Sequence, residues 1–178
     1  MAIAVSGVAA SQVEVSLRAK PEALLACSPK GTVPVLLFKD GRVIEQSLEI
    51  MHWALHQHDP EAWISNLDAG LIQACDAQFK PLLDRYKYAT RHPELSLEQH
   101  RENAFSFIEM LSNKMLKTPY LCGATANIVD HAVFPFVRQF AQVNRPWFDQ
   151  AAHQNLNSWL RSLEQSAAYL TAMQPSAS

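Results

Sequence analysis

The 178-residue sequence has little of what would mark it for a membrane, an oxidising compartment or a nucleic acid. Its opening, Met1 to Ala10, is apolar but carries no basic n-region, and no continuous apolar run in the chain is long enough to span a bilayer. The three cysteines, Cys27, Cys75 and Cys122, are an odd number, widely spaced and without a CxxC pair. That argues against a disulfide framework or a zinc site and for free thiols in a reducing, cytosolic setting. A net charge of -2 supplies no basic face for nucleic acid or an anionic membrane. His52 and His56 have the spacing of a metal pair, but no glutamate follows His52 and no third ligand is evident, so they read as surface histidines and no metal is expected.

What the chain does have is a hydrophobic fraction of 48%, enough for one or two small domains with a real core. The most informative stretch is Ser28 to Trp53. Val33 to Phe38 is a short apolar run rich in β-branched residues, Asp40-Gly41 favours a tight hairpin turn, and Val43-Ile44 opens a return strand. Ser47 stands where a helix begins, with Leu48, Met51, Ala54 and Leu55 at the spacing of one buried face. Pro34 cannot donate a ladder hydrogen bond and belongs at a strand start, edge or bulge. A cis bond at Val33-Pro34 would turn the chain and leave the Val33 backbone N–H and C=O facing outward, able to pair with an extended peptide.

This stretch resembles the N-terminal, thioredoxin-like domain of the glutathione transferases, through Thr32-Val33-Pro34-Val35-Leu36, the Asp40-Gly41 hairpin and Gln46-Ser47 opening the next helix. The resemblance implies a cis proline, a residue before it that pairs with the cysteinyl backbone of glutathione, and an acidic residue followed by serine at the γ-glutamyl end. Carried over by position, the glutathione-binding residues are Val33, Pro34, Gln46 and Ser47. A serine hydroxyl and free backbone N–H groups at a helix start also attract a carboxylate on physical grounds. Gln46 departs from the family's usual glutamate: it keeps an acceptor oxygen and loses the charge that would meet an ammonium.

In front of this stretch, Met1 to Val8 reads as the last turns of a helix closed by Ser6-Gly7, Val13 to Leu17 alternates like a strand, and Lys20 to Cys27 is a short helix. Cys27, at that helix's end where the dipole disfavours a thiolate, reads as a packed thiol. The family's domain has one more strand in front, the central one, and the loop after it carries the serine, tyrosine or cysteine that activates the glutathione sulfur. No residue here occupies that catalytic position. The domain is therefore expected to be truncated at its start, either because the real start lies upstream of Met1 or by natural truncation.

Asp59-Pro60 ends the third helix, and residues 59–66 read as a linker between a first domain over 1–58 and an all-helical domain over 67–178. The helical signals are Leu67 to about Tyr88, with Pro81 expected to kink it, then Ser96 to Lys117, then Ile128 to Phe140, then a last helix carrying Trp147, Leu156, Trp159, Leu160 and Leu163, ahead of a polar tail from Gln174 to Ser178. Asn127 and Asp130 have the spacing of an N-cap and its N3 partner, and Asn127 to Pro135 is similar to the buried capping box of the family's helical domain.

The resemblance thus covers nearly the whole chain and implies a cytoplasmic, homodimeric glutathione transferase fold, taking glutathione as substrate together with a small hydrophobic electrophile. In the family the helix carrying Lys80, Arg85 and Tyr86 faces the glutathione site and lines the co-substrate pocket. The same residues also read as bundle packing with solvated pairs among Lys80, Asp84 and Lys87. Without the thiolate-stabilising group, little transferase activity is expected of the chain as written. The rival reading is a non-catalytic binding or dimerisation module on the same fold.

Overall fold

The computed structural model describes residues 1–16 and 18–174. The chain forms two compact units. The first takes Met1–Ile64 together with the C-terminal stretch from Ala167, and the second takes Ser65–Ser166. The division falls inside the stretch read as a linker, and the last helical segment belongs with the first unit rather than with the helical domain. Among the described residues no helix is long and apolar enough to cross a membrane.

The first unit is built from α1 (Ala2–Ser6), α2 (Glu22–Cys27), β1 (Leu36–Leu37), β2 (Val43–Ile44), α3 (Ser47–Gln57) and, at the other end of the chain, α10 (Ala167–Ala172). α1 stops at Gly7, whose φ of 66° gives the left-handed C-cap. β1 and β2 pair antiparallel, Leu36 with Ile44 and Leu37 with Val43. Their turn is a three-residue loop: Gly41 N–H donates to the Phe38 carbonyl at 3.0 Å, Phe38 N–H to the Arg42 carbonyl at 2.9 Å, and Gly41 takes φ 86°. The Asp40 carboxylate accepts from Arg42 N–H at 3.0 Å, so the Asp-Gly pair supplies both the local acceptor and the positive φ. α3 buries Ile50, Ala54 and Leu55, and α1 packs against both α3 and α10.

The strand expected over Val13 to Leu17 does not form across 13–16, and Leu17 lies outside the described residues. Alternation alone does not make a strand: no neighbour pairs with this segment among the described residues, and Val13 is 78% exposed. The sheet therefore has two short strands. β1 is also shorter than the apolar run suggested, starting two residues after Pro34, which has no N–H to give a ladder.

The second unit is helical. α4 (Ala69–Ala74) passes through a π-helical turn at Cys75–Phe79 into α5 (Lys80–Lys87), followed by α6 (Leu97–Lys114), α7 (Ile128–Val143), α8 (Arg145–Ala151) and α9 (Gln154–Glu164). The irregularity expected at Pro81 takes the form of this wider turn, in which Lys80 N–H reaches the Cys75 carbonyl. Pro81 lacks an N–H, and its ring would press on the carbonyl four residues back in a regular helix. α6 opens on a Ser96–Gln99 capping box and ends sooner than expected, so Leu116 lies past its end, 74% exposed. Trp147 and Leu156 to Leu163 sit on two helices rather than one. Ala152 and His153 are extended between them, and Asn144 caps α8 by accepting from Trp147 N–H at 3.1 Å. The core is aromatic: Phe79 stacks on Phe107 at 4.7 Å between centroids, and Tyr86 meets Phe140 at 5.0 Å. Of the expected polar tail, residues 175–178 lie outside the described residues.

Candidate functional site

The four residues expected to hold a peptide all fall in the first unit, on two short stretches. Val33 and Pro34 lie just ahead of β1, joined by a cis bond. Val33 is 47% exposed, and no hydrogen bond within the described residues engages its N–H or its C=O. Gln46 and Ser47 lie at the start of α3, both exposed. Gln46 occupies the N-cap with extended backbone (φ −103°, ψ 129°), and no side chain caps the helix. The first N–H groups of α3 and the Ser47 hydroxyl therefore stand ready for an acceptor from outside, which is the arrangement that suits a carboxylate.

Sequence reading missed what lies behind these stretches. Ser28 is fully buried, and its hydroxyl donates to Glu45 Oε1 at 2.5 Å. Its N–H donates to the Leu24 carbonyl at 2.8 Å and its carbonyl accepts from Gly31 N–H at 2.8 Å. Gly31 takes φ 58° there, and a Cβ added to it would come within 2.9 Å of the Leu25 side chain. Seventeen residues separate Ser28 from Glu45, and no local pattern ties them.

In the second unit Lys80 pairs with Asp76 one turn back and lies 4.0 Å over the Phe136 ring. Arg85 pairs with Glu94 at 3.5 Å, and Lys87 donates to Gln139 at 2.6 Å. Tyr86 is 2% exposed, and burial pushes its phenol up. A surface cleft of about 410 Å³ opens elsewhere in this unit, between Leu116, Pro119, Tyr120, Asn155 and Trp159.

Asn127 and Asp130 close the start of α7. Asp130 accepts from Asn127 N–H at 3.0 Å, and Asn127 Oδ1 accepts from Val129 N–H at 2.9 Å. The other Asp130 oxygen accepts from Leu121 N–H at 2.9 Å and from the Trp159 indole at 2.7 Å. The Asn127 amide donates to the carbonyls of Ser65 and Asn66 at 3.2 and 3.3 Å. Every partner is structural, and burial pushes the Asp130 carboxyl up against these hydrogen bonds.

Among the described residues no three His, Cys, Asp or Glu side chains gather so as to hold a metal ion. His56 Nδ1 lies 2.7 Å from the His52 carbonyl. Cys27 donates its thiol to the Leu24 carbonyl at 3.3 Å, and burial pushes the Cys75 thiol up to about 12.

Comparison with known proteins bears on both halves. A family model described as glutathione S-transferase, N-terminal domain, matches residues 1–57, and one described as glutathione S-transferase, C-terminal domain, matches residues 62–162. No curated protein matches the chain. Among solved structures, the bacterial transferase BphK in a ternary complex is similar at 18% identity and TM-score 0.77, over 97% of this chain and 90% of its own. A possible glutathione S-transferase from Rhodopseudomonas palustris aligns at 19% identity and TM-score 0.73, over 99% and 85%. A transferase homologue from sulfitobacter, with bound glutathione, aligns at 15% identity and TM-score 0.75, over 96% and 88%.

Proposed function

The chain belongs to the glutathione S-transferase family, and from that premise we propose that it binds glutathione on its first unit, through the Val33 backbone beside Pro34 and through Gln46 and Ser47. The observation that carries the reading is that Val33, an exposed residue, has its N–H and C=O unengaged among the described residues, in the same unit as the open start of α3. An extended tripeptide offers the complementary backbone groups and a carboxylate for the helix start. The sulfitobacter homologue, which binds glutathione, supports the same ligand here.

The reaction this reading assigns is conjugation of glutathione, or transfer of its thiol, to a small hydrophobic electrophile; the catalysis is proximity and thiolate stabilisation. Lys80 and Arg85 are the polar residues assigned to that co-substrate, and Tyr86 packs the helix that carries them. No metal takes part. The protein acts in the cytoplasm and as a homodimer. None of the residues assigned here stabilises a thiolate, so the chain as given is expected to turn over glutathione with a chlorinated aromatic slowly or not at all. Fast turnover would overturn that expectation.

Gln46 favours a second reading, a non-catalytic binding or dimerisation module, because a neutral side chain stands where the family's ammonium partner is charged. Calorimetric titration with reduced glutathione separates the two. Saturable binding supports the transferase lineage, and no heat of binding at millimolar ligand supports the module.

A further inference from the structure

We infer that Glu45 is a positioning residue of the glutathione site, holding through Ser28 the loop that presents Val33 in fixed relation to the segment that presents Gln46 and Ser47. The inference rests on the glutathione reading above. Glu45 does not make up for the charge missing at Gln46. With Gln46 extended, consecutive side chains project to opposite sides, and Gln46 is exposed while Glu45 is half-buried with Oε1 on the Ser28 hydroxyl.

Ser28 is itself fixed on both sides, by its N–H on the Leu24 carbonyl and by Gly31 N–H on its own carbonyl. Five residues later comes Val33. A buried hydroxyl given to a carboxylate at 2.5 Å is a short, charge-assisted bond, stronger and more directional than a neutral one. It is also a side-chain link between the stretch ending α2 and the stretch opening α3. Two exposed segments must keep one separation to clasp a single tripeptide, and a link beneath them supplies that pre-organisation without touching the ligand.

The test is isothermal titration of the full chain with reduced glutathione, alongside thermal melts, for Glu45→Ala, Glu45→Gln, Ser28→Ala and the Ser28→Ala/Glu45→Ala pair. Glu45→Ala and Ser28→Ala are each expected to weaken binding about tenfold, and the pair no further. Glu45→Gln, which keeps an acceptor oxygen for Ser28, is expected to bind within about threefold of the unaltered protein. The pair, with donor and acceptor both gone, recovers in melting temperature while its affinity stays low; a merely structural role would restore both together. Unchanged affinity in Glu45→Ala and Ser28→Ala overturns the inference alone. Weak binding in Glu45→Ala and Glu45→Gln with Ser28→Ala at full affinity overturns it too, by making the charge a direct contact rather than a link through Ser28. Absence of binding by the unaltered protein overturns the glutathione reading and this inference together. If Glu45→Ala does not fold, Ser28→Ala and Glu45→Gln carry the comparison.

Discussion

The indole of Trp159 donates to Asp130 Oδ1 at 2.7 Å, and with Leu121 and Asn127 N–H it makes the third donor on one buried carboxylate. Asp130 thus joins the start of α7, the segment before it and α9. Asp130→Ala strands three buried donors, so its cost is expected to be about 3 kcal/mol, against about 1 for an ordinary cap. Thermal denaturation checks this, and an unchanged melting temperature would remove Asp130 from that role.

His131, the next residue, carries a pH dependence. Burial lowers its imidazole from 6.5 to about 3, so in this window the unfolded chain binds a proton that the folded one does not. Its contribution to stability is therefore present above the unfolded value and is lost as pH falls from 6.5 toward 3, at a slope of up to about 1.4 kcal/mol per unit. Asp130 acts with the opposite sign: its raised pKa favours the folded state as the carboxyl protonates. Denaturant unfolding of the parent and His131→Asn across about pH 4 to 7 isolates the histidine. The parent is expected to lose more stability on acidification, and parallel profiles would refute the assignment.

Ser47→Ala is expected to weaken glutathione binding by about tenfold or more while leaving the melting temperature where it was. The side chain is exposed and makes no hydrogen bond within the described residues, so folding does not depend on it. Equal affinity in the two proteins would exclude Ser47 from the site.

Thiol titration with an aromatic disulfide at about pH 8 is expected to leave Cys75 unmodified until denaturant is added, because the thiolate is the reactive form and burial pushes this thiol up to about 12. Cys27 and Cys122 are half-buried and are expected to react first. Three thiols reacting together in the folded protein would contradict the burial of Cys75.

Features set by near neighbours were legible in the sequence. Asp40-Gly41 makes its turn with atoms at most three residues away, and Asn127 and Asp130 cap α7 across three. Features that depend on distant partners were not. Val13 and Val15 alternate as a strand would, but a strand exists only where another pairs with it. Trp147 has the spacing to continue into Leu156, and the extended pair Ala152 and His153 intervenes. The apolar run from Val33 carries no sign that pairing waits until Leu36. In the candidate site, the exposed residues were named by family resemblance, whereas Ser28 and Glu45 became visible only once the fold brought them together.

The Asn127 amide, donating to the carbonyls of Ser65 and Asn66, sets a limit on dissecting the chain. A helical fragment begun at Leu67 would remove both of those carbonyl acceptors from the residue that caps α7. One begun at Ser65 retains both acceptors. Two residues that look like spacer are the first turn of the lock, and any graft, swap or proteolytic trimming of this half must carry them along.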